Sequence, residues 1–175
     1  GEGDFNMPWC IAIPGDGDIL IADWHNDRVQ RFTSNGEFIS MFGTPGTDDG
    51  EFHRPAGIEV DHHGDIYVVD RGNNRVQQFS AEGKYFDKFI GDATLSKSGE
   101  IYVRANPAVL RNREIANTEQ QKRLRGPAAV RFDNEGRMYI PDFGSHRIQV
   151  YNKLAYPLTP DEIAPVPNHP TLYTV

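Results

Sequence analysis

A single cysteine, Cys10, stands in the whole chain, so an internal disulfide and a Cys-based zinc cage are both excluded. It lies in an apolar stretch, where a buried, inert thiol is the expectation. No apolar run approaches the ~20 residues that a helical membrane span requires. Basic side chains are scarce early on: residues 1–100 hold 8 of them against 18 acidic ones. With a net charge of −7, general affinity for nucleic acid or an anionic membrane surface is disfavoured. Nucleophile-elbow, zincin and P-loop patterns are missing. No signal-peptide pattern is present, yet the chain begins at Gly1 rather than Met, consistent with loss of an upstream segment. The expectation is a soluble protein, with cytoplasmic and exported locations both open.

What the chain does have is repetition. "DWHNDRVQRF" (Asp23 to Phe32), "DRGNNRVQQF" (Asp70 to Phe79) and "DFGSHRIQVY" (Asp142 to Tyr151) share Asp, Arg five places on, an apolar residue, Gln and an aromatic. Pro8, Pro55 and Pro127 stand in the same register, as do Gly17, Gly64 and Gly136; the steps are 47 and then 72 residues, so the third copy follows a 25-residue insertion. In the second copy, "GIEVD", "DIYVVD", "RVQQFS" and "KYFDKFI" are separated by Gly/Asn/Asp turns. Short β-branched and aromatic runs with such turns predict four antiparallel strands in a meander. Four-stranded units repeated at this interval predict an all-β protein, a β-propeller with each unit a blade. The expected blades cover about 5–43, 52–91 and 126–151. They sit in a propeller portion of 1–153, with a helical insertion at about 92–125 and a Pro-rich extended tail at 154–175.

The stretch "GEFHRPAGIEVDHHGDIYVVDRGNNRVQQF" (residues 50–79) resembles the NHL repeat: a G-x-F-x-x-P lead-in, a V-D and G-x-I-Y-V-x-D core, then N-x-R-V-x-x-F. The resemblance implies a six-bladed ring, of which three repeats make half. An open half ring exposes sheet edges and blade faces. The expected partner is therefore more propeller in a longer chain, a second copy, or a different subunit, and the isolated chain is not expected to behave as a simple monomer. Certain NHL-type lyases hold zinc through His residues after the lead-in Pro; those places here are Trp9, Ala56 and Ala128, so that ligand set does not carry over.

The repeated pairs Asp23/Arg28, Asp70/Arg75 and Asp142/Arg147 read as structural, because each blade needs its own clip whereas a catalytic group occurs once. The Asp is expected to accept backbone N–H groups of the turn that follows it, and the Arg to meet it bidentately. Positions that vary between repeats are the better binding candidates. Trp9, Trp24, His25, Arg54, Arg71, Phe143 and His146 are expected to gather on the loop face, and Trp and Arg are favoured at recognition hot spots. A second candidate surface is basic: Arg111, Arg113, Arg123 and Arg125 of the insertion, facing an acidic partner. His62-His63 lack a third ligand, so no metal and no cofactor are expected. The resulting functional expectation is a non-catalytic scaffold for protein assembly or ligand recognition, with a small-molecule ligand also open. The alternatives are a propeller lyase or hydrolase whose catalytic residues lie partly outside this stretch, and single-stranded RNA binding, for which the acidic first half is unfavourable.

Overall fold

The computed structural model describes residues 1–92, 104–108, 111 and 122–152. The first sheet holds β1 (Pro8–Ala12), β2 (Ile19–Asp23), β3 (Arg28–Phe32) and β4 (Phe38–Phe42). A second repeats it with β5 (Pro55–Val60), β6 (Ile66–Asp70), β7 (Arg75–Phe79) and β8 (Tyr85–Phe89). The third contains β9 (Arg131–Phe132), β10 (Arg137–Asp142) and β11 (Arg147–Asn152). Every neighbouring pair is antiparallel and strands follow in chain order, so each sheet is a meander. The third has three strands among the described residues, and Pro127 adds a single bridge to Asp142. The predicted tail at 154–175 and Arg113 lie outside the described residues. Of the predicted helical insertion, helical backbone occurs at Arg104, Ala105, Pro107, Ala108, Arg111 and Lys122.

The core lies between the sheets rather than inside them. Ala12, Leu20, Ala22 and Val29 of the first blade meet Phe52, Ile58, Ile66, Val68 and Phe79 of the second. The second blade's opposite face, Tyr67, Val69 and Val76, meets Leu124, Val130, Met138 and Ile140 of the third. Strand alternation explains this: β6 is buried along its whole length because both of its faces are covered. The outermost strands of the first two sheets, β4 and β8, are exposed at their three central positions, as edge strands are. Cys10 is half-buried at the first of these seams rather than fully enclosed. Gly57 permits the close approach of the inner strands, since a Cβ there would lie 3.2 Å from the Ala129 backbone.

Candidate functional site

The shared ten-residue motif builds one end of each blade. After the Asp, a single 3-10 turn (Trp24–Asn26, Arg71–Asn73, Phe143–Ser145) leads to a left-handed residue, Asp27, Asn74 or His146. Contrary to the sequence expectation, the carboxylate takes no backbone N–H from the turn that follows it; in the first two blades it meets that turn through the Asn26 and Asn73 side chains, at 2.7 and 2.9 Å. It reaches backward for its backbone donor. Oδ1 of Asp23, Asp70 and Asp142 accepts the backbone N–H of Asn6, His53 and Arg125, at 2.8, 2.7 and 2.6 Å. These N–H groups belong to the lead-in loop before each inner strand.

The arginine also departs from the bidentate expectation. Nε of Arg28, Arg75 and Arg147 donates to Oδ2 at 3.2, 2.7 and 2.9 Å. The outer nitrogens are thereby left for the lead-in loop, where Arg75 donates to the carbonyls of Thr47, Asp48 and Glu51. Arg28 does the same to Gly1 and Asp4, and Arg147 to Lys122 and Arg123. Gln30, Gln77 and Gln149 complete the hub, each bonding the carboxylate and a lead-in carbonyl. Burial pushes the Asp70 carboxyl above the ordinary aspartate value, against the opposing pull of the His53 N–H, Asn73 and Arg75. A separate carboxylate, Asp133, closes the tight turn before β10. Although burial works the other way, the Arg137 N–H and guanidinium, the Tyr139 hydroxyl and the Glu135 N–H hold Asp133 down to about 2.

These hubs bring all seven variable residues to the same end of the blades. Trp24, Arg71 and Phe143 occupy one equivalent position in successive blades, immediately after the shared Asp. Trp9 joins them because β1 bulges there: Pro8 pairs with Asp23 and Cys10 with Ala22, leaving Trp9 out of register. Its ring stacks on Trp24 with centroids 4.8 Å apart and an interplanar angle of 30°. Trp9 is exposed and Trp24 half-buried, so the pair lies open to solvent rather than sealed between blades. Arg71 crosses to the next blade, its guanidinium carbon 5.8 Å from the centroid of the exposed Phe143 ring. His25 and His146 are exposed on the same turns, and Arg54 is exposed in the lead-in loop.

The basic candidates are arranged differently. Arg123 and Arg125 belong to the third lead-in loop, and the hub uses their backbone carbonyl and N–H, while their side chains face solvent. Arg111 is exposed. His62 and His63 stack on each other at 3.8 Å, and among the described residues no three His, Cys, Asp or Glu side chains converge as ligands. No helix among the described residues is long and apolar enough to cross a membrane.

What the sequence reading missed is the connection from one blade to the next. Asp27 Oδ1 accepts the Arg54 N–H at 2.6 Å, and Asn74 Oδ1 accepts the Gly126 N–H at 2.6 Å. Asp27 and Asn74 thus each hold the lead-in loop of the following blade. Left-handed non-Gly residues in a fixed place of every repeat were the available signal, since Asp and Asn tolerate that conformation best.

Comparisons with known proteins agree with this architecture. Residues 13–97 match the family DUF5128, described as a 6-bladed beta-propeller. The chain is 40% identical over 48 residues to "Protein brain tumor" of Drosophila melanogaster, and 46% identical over 37 residues to "B-box type zinc finger protein ncl-1" of Caenorhabditis elegans. Those matches take in 27% and 21% of this chain but only 5% and 4% of the relatives, so it spans a small fraction of their length. Among solved structures it resembles the hydrazine synthase of Kuenenia stuttgartiensis, with a TM-score of 0.58 at 12% identity over 87% of this chain and 34% of that one. A luciferin-regenerating enzyme matches with a TM-score of 0.50 at 14% identity, over 81% of this chain and 39% of the other. Identities this low speak to fold alone. Three meander sheets in one register, each clipped by the same Asp–Arg–Gln hub, together with these matches, identify the fold as that of a β-propeller, with repeats similar to those of NHL-repeat proteins.

Proposed function

We propose that this propeller is a non-catalytic scaffold that recognises a segment of a protein partner on the loop face carrying Trp9, Trp24, Arg71 and Phe143. The observation that supports it best is the open Trp9–Trp24 stack, set at the same end of the blades as the Arg71–Phe143 pair. Large rigid aromatics left in water have no folding purpose in the seams, which are already filled by Val, Ile, Leu and Phe. They offer instead a low-entropy contact surface, and Arg71 adds a cation for an acidic side chain. The ligand that fits is an extended peptide with an aromatic or aliphatic anchor and a nearby carboxylate.

A random peptide library displayed on phage tests this directly, panned on the wild-type chain and counter-panned on Trp24→Ala. Selected peptides should share an apolar anchor and lose at least tenfold in affinity with Trp24→Ala and with Arg71→Ala. Peptides that bind the variants as well as they bind the wild type would remove the loop face from consideration.

A further inference from the structure

The chain carries 25 acidic residues against 18 basic ones, so its arginines have carboxylates to spare. Most of the described arginines use them. Arg28, Arg75 and Arg147 pair with the hub aspartates, Arg31 with Asp16 and Asp18, Arg131 with Glu59, and Arg137 with Asp133. Arg54, Arg71, Arg123 and Arg125 behave differently. Among the described residues none of them meets a carboxylate, and each stands in a turn or lead-in loop of the loop face. In a chain with a surplus of negative charge, the unpaired guanidinium groups have gathered at one end.

Short contacts join three of them into one strip. The His53 carbonyl accepts the Gly72 N–H at 2.8 Å, and the His53 ring lies so close that a Cβ at Gly72 would collide with it. His53 and Arg54 are thereby set beside Arg71. Arg71 reaches across the seam to the Phe143 ring, and the next residue, Gly144, donates its N–H to the Arg125 carbonyl at 2.7 Å. The strip therefore runs Arg54, Arg71, Phe143, Arg125. Carboxylates close to it in sequence are already engaged. Asp70 and Asp142 are fully buried against Arg75 and Arg147, and Asp27 accepts the Arg54 N–H. Farther out the charge reverses: Asp48 and Asp49 are exposed earlier in the lead-in loop that carries Arg54, as is Asp4 in that of the first blade.

We infer that this strip selects an acidic segment of a protein partner. The inference rests on the loop-face reading above and adds the partner's charge: Trp9 and Trp24 take the apolar anchor, while Arg54, Arg71 and Arg125 take carboxylates of the same extended segment. A guanidinium matches a carboxylate bidentately. Phe143 already holds Arg71, so less side-chain freedom is lost on binding. The acidic borders favour a short anionic segment. A nucleic-acid backbone, charged at every step, would run on over Asp48 and Asp49.

Panning a random phage-displayed peptide library on the wild-type chain, on Arg71→Gln and on the double variant Arg54→Gln/Arg125→Gln reads the charge of what is selected. Circular dichroism confirms that each variant keeps its strands. Wild type should return peptides that combine an apolar anchor with an excess of Asp and Glu over the starting library. Both arginine variants should return the anchor without that excess. Peptides selected on wild type should bind Arg71→Gln about tenfold more weakly, the scale of one charged hydrogen-bonded contact. Their affinity for wild type should fall about three- to tenfold between about 50 and about 300 mM salt, and that dependence should flatten in the double variant. Anchored peptides without acidic bias, or a bias that survives in both variants, would overturn the strip and leave the loop-face reading standing. Acidic peptides that lack a shared anchor, and lose their bias in the variants, would uphold the strip and overturn the anchor. Poly(U) RNA that binds more tightly than the selected peptides at about 150 mM salt would overturn the assignment to a protein segment.

Discussion

Removing the Asp70 carboxylate should cost more stability than removing any other single side chain of the repeat. Asp70 is fully buried and accepts four donors: the His53 N–H at 2.7 Å, Asn73 at 2.9 Å, Arg75 Nε at 2.7 Å and Gln77 at 3.3 Å. Asp70→Ala leaves the buried Arg75 guanidinium with only the exposed Asp49 carboxylate, 3.8 Å away, as counter-charge, and breaking such a buried pair is worth about 3–5 kcal/mol. Arg75 keeps its three lead-in carbonyls, so the lower half of that range is expected. For a chain of this size that is a fall of about 6–16 °C in Tm. Asp70→Asn should also be damaging, because it removes the charge and its amide nitrogen would face a donor in either orientation, the His53 N–H on one side or Arg75, Asn73 and Gln77 on the other. The equivalent changes at Asp23 and Asp142 should cost less. Their arginines are 14% and 28% exposed against 6% for Arg75, so water can solvate the orphaned charge. Urea unfolding of the three alanine variants at one protein concentration measures the series. A loss below ~1 kcal/mol for Asp70→Ala, or a larger loss at Asp142 than at Asp70, would refute the buried-hub argument.

Two further outcomes follow from smaller contacts. Asn74→Gly keeps the left-handed backbone but removes the acceptor for the Gly126 N–H, so a loss of about 1 kcal/mol is expected, with faster hydrogen exchange at Gly126 than at other third-blade amides. Equal protection of that amide in both proteins would show that the bond holds nothing. Asp133, held at about 2, should stabilise the fold above the ordinary aspartate range and lose that contribution as pH falls through 2. The Tm gap between wild type and Asp133→Asn should therefore be full at pH 5 and shrink towards pH 2, and a gap that widens on acidification would contradict the assignment.

The blades were legible because strand alternation and turn residues are written in side chains: "DIYVVD" and "RVQQFS" became β6 and β7 with almost no adjustment. The Asp and Arg of each repeat were equally plain as a pair. Their other partners were not, since the carboxylate and guanidinium bind backbone N–H and C=O groups from 17 to 28 residues earlier, and backbone groups carry no letter. The Trp9–Trp24 stack was hidden for a different reason: one bulge at Trp9 breaks the period-two rule that would assign its side. His146 looked like an ordinary turn residue, and its left-handed backbone, shared with Asp27 and Asn74, is visible only in three dimensions.

Because the hub grips main-chain oxygens and nitrogens, it is indifferent to which amino acids supply them. Thr47, Asp48 and Glu51 are caught in the second blade, and Lys122 and Arg123, of opposite charge, are caught in the third. The 25 additional residues before the third blade end just upstream of that grip, and the geometry downstream is the same. The stretch ahead of each clasp is thus a natural graft point, where a propeller of this kind can carry unrelated sequence while its ring architecture stays intact.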